Sequence, residues 1–320
     1  MAALPPPLSH TALAIDEAFV RTARDGDSAG VPMSGVANPC DRALWYAFRW
    51  AAPGEQPEGA RQRRFESGNL YESRLLAMLG MIGCDVQEID EATGKQIRVD
   101  LAGGHLRGKL DGVATGLPEA PVTPHAIECK SANDKSFKAI AKGPIRETKP
   151  EHYAQIQLYM HALDLRRGLY MVANKNDDAI HCERVEYDPT FCLALVARIE
   201  RIVAAPRPPA RLHDDPTTKA AFACQWCPAR AICHEGAFPR QNCRTCMFSS
   251  PSDGPRWDCE RHGRRLSYDG MQTGCPDHLF IPDLVPGEQI DADPARGTVT
   301  YRMADGSVWV DGQVNLRRTA

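Results

Sequence analysis

The period of the hydrophobic pattern changes near Gly83, and that change limits the folds open to this chain. Before it, apolar residues recur at helical spacing: Leu44, Trp45 and Phe48 within 41–50, then Leu75, Leu76 and Leu79 in a longer helix over 60–79. After it, 85–89, 96–101, 105–113 and 125–130 alternate or are β-branched, with Gly/Pro turns between them, which predicts strands. A helix returns at 150–165, with Pro150 tolerated in its first turn. Two strands over 168–173 and 180–187 follow, and then a helix over 189–204 that ends before Pro206, Pro208 and Pro209. Helices interleaved with strands imply an α/β fold.

Three segments follow from composition. Residues 1–35, rich in Ala, Pro, Gly and Ser, read as a loosely ordered lead-in with one short helix over 11–22. Residues 36–240 form the core. Residues 241–320 form a small Cys-rich module ending in a β-hairpin, 299–303 and 307–310 around Asp305-Gly306. At 320 residues and 43% hydrophobic content the chain can bury a sizeable core. A net charge of -3 makes any anion-binding surface local, as at Arg61, Arg63 and Arg64 or at Arg264 and Arg265. No apolar run is long enough to span a bilayer, and no basic segment followed by an apolar one opens the chain, so the expectation is a cytoplasmic protein with no membrane partner.

Seven of the twelve cysteines crowd between residues 224 and 275, with CxxC spacing twice. Without an export signal, that crowding points to metal rather than disulfides. Cys243, Cys246, Cys259 and Cys275 offer four soft ligands for zinc, with His262 or His278 as substitutes. Cys84, Cys182 and Cys192 lie in apolar contexts and are expected in the core.

The most informative stretch is Gly108-Lys109-Leu110-Asp111-Gly112, followed by Ala126-Ile127-Glu128-Cys129-Lys130. Alternate side chains of a strand share a face, so Glu128 and Lys130 point one way, and Ile127 and Cys129 the other, into the core. Carboxylates can hold a hard cation, and an ammonium beside them can orient water or offset charge in phosphodiester hydrolysis. Asp111 and Glu128 are the metal ligands in this reading. The Cys129 carbonyl completes the shell, and Lys130 supplies the ammonium. An Asp-Gly closing one strand, a turn and an apolar strand carrying ExK resemble the PD-(D/E)XK nucleases, whose restriction-endonuclease-like core has a mixed sheet between helices.

The RecB-like branch of that superfamily carries Gln-x-x-x-Tyr on the following helix, matched here by Gln155 and Tyr159, which share a helix face. Its earlier helix carries a Gly followed four residues later by His or Glu, matched by Gly68 and Glu72, which makes Glu72 a third candidate metal ligand. Within that branch, iron-sulfur nucleases such as the CRISPR-associated exonucleases and the AddB nuclease domain place one Cys before the core and three after it. Cys40, Cys224, Cys227 and Cys233 are similar, which implies a 4Fe-4S cluster, with zinc on the same four thiolates as the alternative. The resemblance covers about two-thirds of the chain. It implies a magnesium- or manganese-dependent deoxyribonuclease, an exonuclease acting on DNA ends or single strands, in recombination, repair or phage replication. No helicase motif is present, so a motor, or a recombinase, would be a partner.

Other readings are weaker. Gly103 to Lys109 spells GxxxxGK but continues with Leu110 into a strand, which excludes a phosphate-binding loop. His181-Cys182-Glu183 with a later CxxC resembles a zinc nucleobase deaminase, yet no Pro precedes Cys224 and His181 lies in a strand pattern. A non-catalytic, metal-containing DNA-binding module would have no reason to keep Lys130 beside two carboxylates. Lone histidines such as His152 are read as ordinary hydrogen-bonded residues.

Overall fold

The structure is a computed structural model and describes residues 9–23, 27–54 and 57–312. Helix α1 (His10–Thr22) and strand β1 (Val31–Pro32) precede α2 (Asp41–Phe48) and the long α3 (Gly59–Met81). Next come β2 (Asp85–Gln87), the two-residue strands β3 (Ile89–Asp90) and β4 (Lys95–Gln96), β5 (Arg98–Leu101), β6 (Leu106–Lys109), β7 (Gly112–Thr115) and β8 (His125–Ala132). Helices α4 (Asp134–Ile140), α5 (Ile145–Thr148) and α6 (Pro150–Ala162) lead to β9 (Arg167–Asn174), β10 (Ile180–Glu186) and α7 (Pro189–Ala204). The Cys-rich remainder holds the short helices α8 (Phe222–Gln225) and α9 (Arg230–His234), β11 (Ser249–Ser252), β12 (Arg256–Cys259) and β13 (Arg264–Leu266), then β14 (Gly287–Asp293), β15 (Thr298–Met303) and β16 (Val308–Asp311).

The central sheet has the order β10-β9-β8-β7-β2 and is mixed, because β8 and β9 run parallel while the other neighbours are antiparallel. The parallel pair requires a crossover, which α4 to α6 supply. On one face α3 lays Leu75, Leu76 and Leu79 against Ile127, Cys129, Leu169 and Met171. On the other, α6 packs Ile156 and Met160 in the cluster that holds Ala126, Tyr170 and Val172. Its residues 153–160 are all buried, as expected of a helix enclosed on every side. Gln157 survives there because its amide donates to the Glu186 carbonyl at 2.6 Å and accepts the Asp188 N–H at 2.8 Å. Asp188 then caps α7 by accepting the Phe191 N–H.

An α/β core with a mixed sheet between helices, followed by a Cys-rich region, is what the sequence predicts, but four details differ. The single strand expected at 105–113 is two: β6 joins β5 and β1 in a second sheet, and only β7 enters the central one. Residues 28–35, read as loosely ordered, carry β1 and bury Val31 and Met33. The first eight residues of that lead-in and residues 24–26 lie outside those described. Strands β11 to β14 were not expected; Pro, Gly and Arg mask their pattern. Cys182 is exposed on the sheet edge rather than buried, whereas Cys84 and Cys192 are core.

The Cys-rich region is tied to the N-terminal half through arginines. Arg244 is fully buried, its guanidinium 3.7 Å from the centroid of the Trp50 ring, and it donates to the Phe48 and Ala29 carbonyls at 2.8 and 2.9 Å. Arg49 reaches back to the Arg244 and Ser249 carbonyls at 3.1 and 3.2 Å. Burial lowers Arg244 to about 9, so it stays charged at neutral pH. Arg244→Ala would open a cavity and leave carbonyls unpaired. Urea unfolding should show a loss of about 3 kcal/mol, and a loss under about 1 kcal/mol would remove this contact as a tie.

Candidate active site

Strand β8 pairs with β7 only over His125, Ala126 and Ile127, opposite Ala114, Val113 and Gly112. Beyond Gly112 the chain turns away through Asp111 and Leu110 into β6, so one edge of β8 at Glu128 to Lys130 faces a gap. The Asp111 carboxylate closes it by accepting the Cys129 N–H at 2.7 Å. The N–H and C=O of one strand residue point to the same side, so the Cys129 carbonyl faces this gap too. Leu110 is fully buried below.

Glu128 is fully buried on the α6 face of the sheet. One of its oxygens takes the Lys130 ammonium, and the other accepts from the Gln155 amide at 3.1 Å. Gln155 also donates to the Tyr159 hydroxyl at 2.9 Å, and Tyr159 donates to the Lys109 carbonyl at 2.7 Å. Gly108 permits that approach, since a Cβ there would lie 2.5 Å from the Tyr159 ring. From the opposite layer α3 brings Glu72, held by the Gln96 amide at 3.4 Å, and Gln96 also donates to the Leu110 carbonyl at 3.3 Å.

Asp111, Glu128, Lys130, Gln155, Tyr159 and Glu72 therefore gather at one gap. Two clefts open onto it. One is lined by Glu72, Asp111, Glu88, Gln96 and Lys109, the other by Gln155, Tyr159 and Lys109 with Arg98 and Arg107. Sequence reading missed Gln96 and Lys109, because an isolated amide or lysine on a short strand carries no signal until its neighbours are known.

The electrostatics are those of several carboxylates crowded around one ammonium. Burial, and then the charge of Asp111, push Glu72 up to about 7. Burial pushes Glu128 up, against the pull of Lys130, and Asp111 is raised by burial too. Burial works against the Lys130 charge, but Glu128 and Asp111 outweigh it and hold the ammonium protonated. The donors are all oxygens, which suits a hard ion. The three carboxylates do not lie within 4.8 Å of one another, so binding an ion requires them to draw in. His152 stands apart: its ring shares a 2.9 Å hydrogen bond with the Tyr170 hydroxyl, and burial with the nearby Lys130 lowers it to about 4.

The cysteines gather in two places, although in neither do three of their sulfurs lie within 4.8 Å of one another. Cys40, Cys224, Cys227 and Cys233 line one small pocket, although Cys40 comes from the start of α2 and the others from beyond residue 220. Cys243 has Cys275, Cys246 and Cys259 as electrostatic neighbours. His262 lies 3.6 Å from the Cys275 sulfur and 3.4 Å from the Asp277 carboxylate, and these three form the one compact metal-ligand group among the described residues. Of the two substitutes, His262 is thus at the cysteines, while His278 is buried and shares a 3.1 Å hydrogen bond with the Asn242 carbonyl. His181 and Cys182 sit on edge strand β10, and Glu183 accepts the Ile145 N–H at 2.8 Å, so the deaminase reading gains no site. Gly103 and Gly104 form a turn before β6, with no helix to make a phosphate loop.

No family model matches this chain, and no curated protein does. Among solved structures it is similar to SSO0001 at 12% identity and a TM-score of 0.41, over 70% of this chain and 96% of that one. It is also similar to the alkaline exonuclease LHK-Exo from Laribacter hongkongensis at 16% identity and a TM-score of 0.38, over 59% and 91%. The same exonuclease in complex with dAMP gives 16% and 0.37, over 60% and 91%. Likenesses this distant carry no argument about function. No helix among the described residues is long and apolar enough to cross a membrane.

A carboxyl raised in the folded state costs stability once it ionises. For Glu72 the cost is absent below its ordinary value near 4.5 and complete above about 7. The metal-free protein should therefore lose stability as pH rises through that window, while a bound cation, which needs the ionised form, offsets the loss. Thermal unfolding should show a larger gain from millimolar magnesium or manganese at pH 8 than at pH 5, and Glu72→Gln should flatten the difference. An equal gain at both values, or none, would contradict the site.

Proposed function

We propose that this chain is a metal-dependent deoxyribonuclease of the PD-(D/E)XK type that hydrolyses phosphodiester bonds at Asp111, Glu128 and Lys130. The observation that supports this most is the convergence of three carboxylates, an ammonium and a Gln–Tyr pair, from both faces of the sheet, on the gap beside β8. A magnesium or manganese ion held by Asp111, Glu128, Glu72 and the Cys129 carbonyl would supply Lewis acidity to the phosphate and acidify a water. The chain's own groups prepare the rest. Glu128 holds the Lys130 ammonium at the gap, where its charge can offset that developing on the phosphate. Gln155 restrains the second Glu128 oxygen, and Tyr159 restrains Gln155 while tying α6 to the strand at Lys109.

The finer parts of the proposal rest on the resemblance of motifs. They are exonuclease action on DNA ends or single strands, a helicase or recombinase partner, and a setting in recombination, repair or phage replication. Cys40, Cys224, Cys227 and Cys233 would hold a 4Fe-4S cluster or zinc as a staple between α2 and the C-terminal region. Cys243, Cys246, Cys259 and Cys275 would hold zinc with His262 beside it. A cytoplasmic location belongs to the same reading, because metal-bound thiolates suit a reducing compartment.

End-labelled single- and double-stranded DNA, with magnesium, manganese or chelator, provides the test. Wild type should cut only with metal, and Lys130→Ala should be slower by about 100-fold or more. Full activity in the variant would remove the assignment, and a wild type that binds DNA but cuts none would favour a binding module. Protein purified without oxygen should absorb visible light, and Cys227→Ser should lose that absorption and solubility. A colourless wild type with stoichiometric zinc would replace the cluster by zinc.

A further inference from the structure

The hairpin of β5 and β6 carries an arrangement that the fold itself does not need. In its register Arg98 lies directly opposite Lys109, and Asp100 opposite Arg107, which puts all four side chains on one face. Arg107 is paired with Asp100 at 2.8 Å. Among the described residues neither Arg98 nor Lys109 makes an ion pair. Like charges directly opposite on neighbouring strands oppose pairing, so this couple costs stability unless an anion sits between them.

The same face lines a cavity of about 360 Å³ whose other walls include Ser34, Gln155 and Tyr159. Three cations against one carboxylate make it the cationic side of a site whose opposite cleft is acidic at Glu72, Glu88 and Asp111. The two clefts meet at Lys109. A hydroxyl beside two guanidinium groups and an ammonium can satisfy the three oxygens of a phosphate.

We propose that Arg98, Lys109 and Ser34 bind a phosphate group of the substrate strand next to the bond that is cut. This rests on the nuclease reading and deepens it. The phosphate is either the one ending a strand, which would fix how many nucleotides separate the end from the cut, or an internal backbone phosphate, which would only hold the strand in place. The same charges serve both, and the test separates them.

Fluorescence anisotropy in chelator measures binding without cleavage, using one labelled oligonucleotide with a 5′-phosphate, a 3′-phosphate or neither. Arg98→Gln should weaken binding several-fold at low salt and reduce the logarithmic salt slope by about 0.7, the value for one phosphate contact on a single strand. Arg98→Lys should keep the slope. A loss confined to one phosphorylated end assigns a terminal phosphate and the direction of attack; an equal loss on all three assigns an internal one. Arg98 is exposed, and replacing it relieves Lys109 of a like-charge neighbour, so the thermal midpoint of the variant should not fall. Binding of all three strands by Arg98→Gln with wild-type affinity and slope overturns the pocket and leaves the nuclease reading intact. Wild type that neither binds nor cuts DNA removes both.

Discussion

The site depends on one hydrogen bond, from the Cys129 N–H to the Asp111 carboxylate. A central strand normally has both edges paired, and β8 does so at Ile127 but not two residues later. The chain leaves the sheet at Leu110 and Asp111 to build a second one, and a side chain takes over where the backbone partner ends. A sheet that splits in this way exposes a short edge inside the molecule, with a carboxylate already fixed on it. Glu72 can approach from one layer and Gln155 from the other because the split leaves no strand between them.

Electrostatics makes that gap receptive to positive charge. Fully buried Glu128 keeps company with only one close ammonium, and Asp111 and Glu72 crowd toward it. Such a cluster opposes its own ionisation and favours whatever brings positive charge. Gln157, buried on the same helix, has both its amide oxygen and its amide nitrogen paired, so the contrast makes the carboxylate cluster the candidate for a functional site.

Much of this was legible in the sequence, for reasons that differ by element. Helices α3, α6 and α7 and strands β8 to β10 were found because each has a full period of pattern, and Pro150, Pro189 and Pro206 mark boundaries. The Asp-Gly, ExK and Gln-x-x-x-Tyr spacings named residues that do meet in space. The break between β6 and β7 was not legible, because Lys109-Leu110-Asp111 continues the alternation across the point where the chain changes sheet. Residues 28–35 were missed because their partners lie far away in sequence, and the meander β11 to β13 because Pro, Gly and Arg mask its pattern. Arg244 shows this most clearly: its aromatic partners are near residue 50 and at Trp257, and nothing in Asn242-Cys243-Arg244 announces burial.

Asp111, fixed at the split in the sheet, is the group proposed to hold a hard cation. Calorimetric titration of manganese into wild type and Asp111→Asn tests that role most directly, because Asn keeps the oxygen that accepts the Cys129 N–H and removes only the charge. Wild type should bind manganese and the variant should not, while the thermal midpoint of the metal-free protein does not fall. Equal manganese affinity in the two proteins would contradict that role.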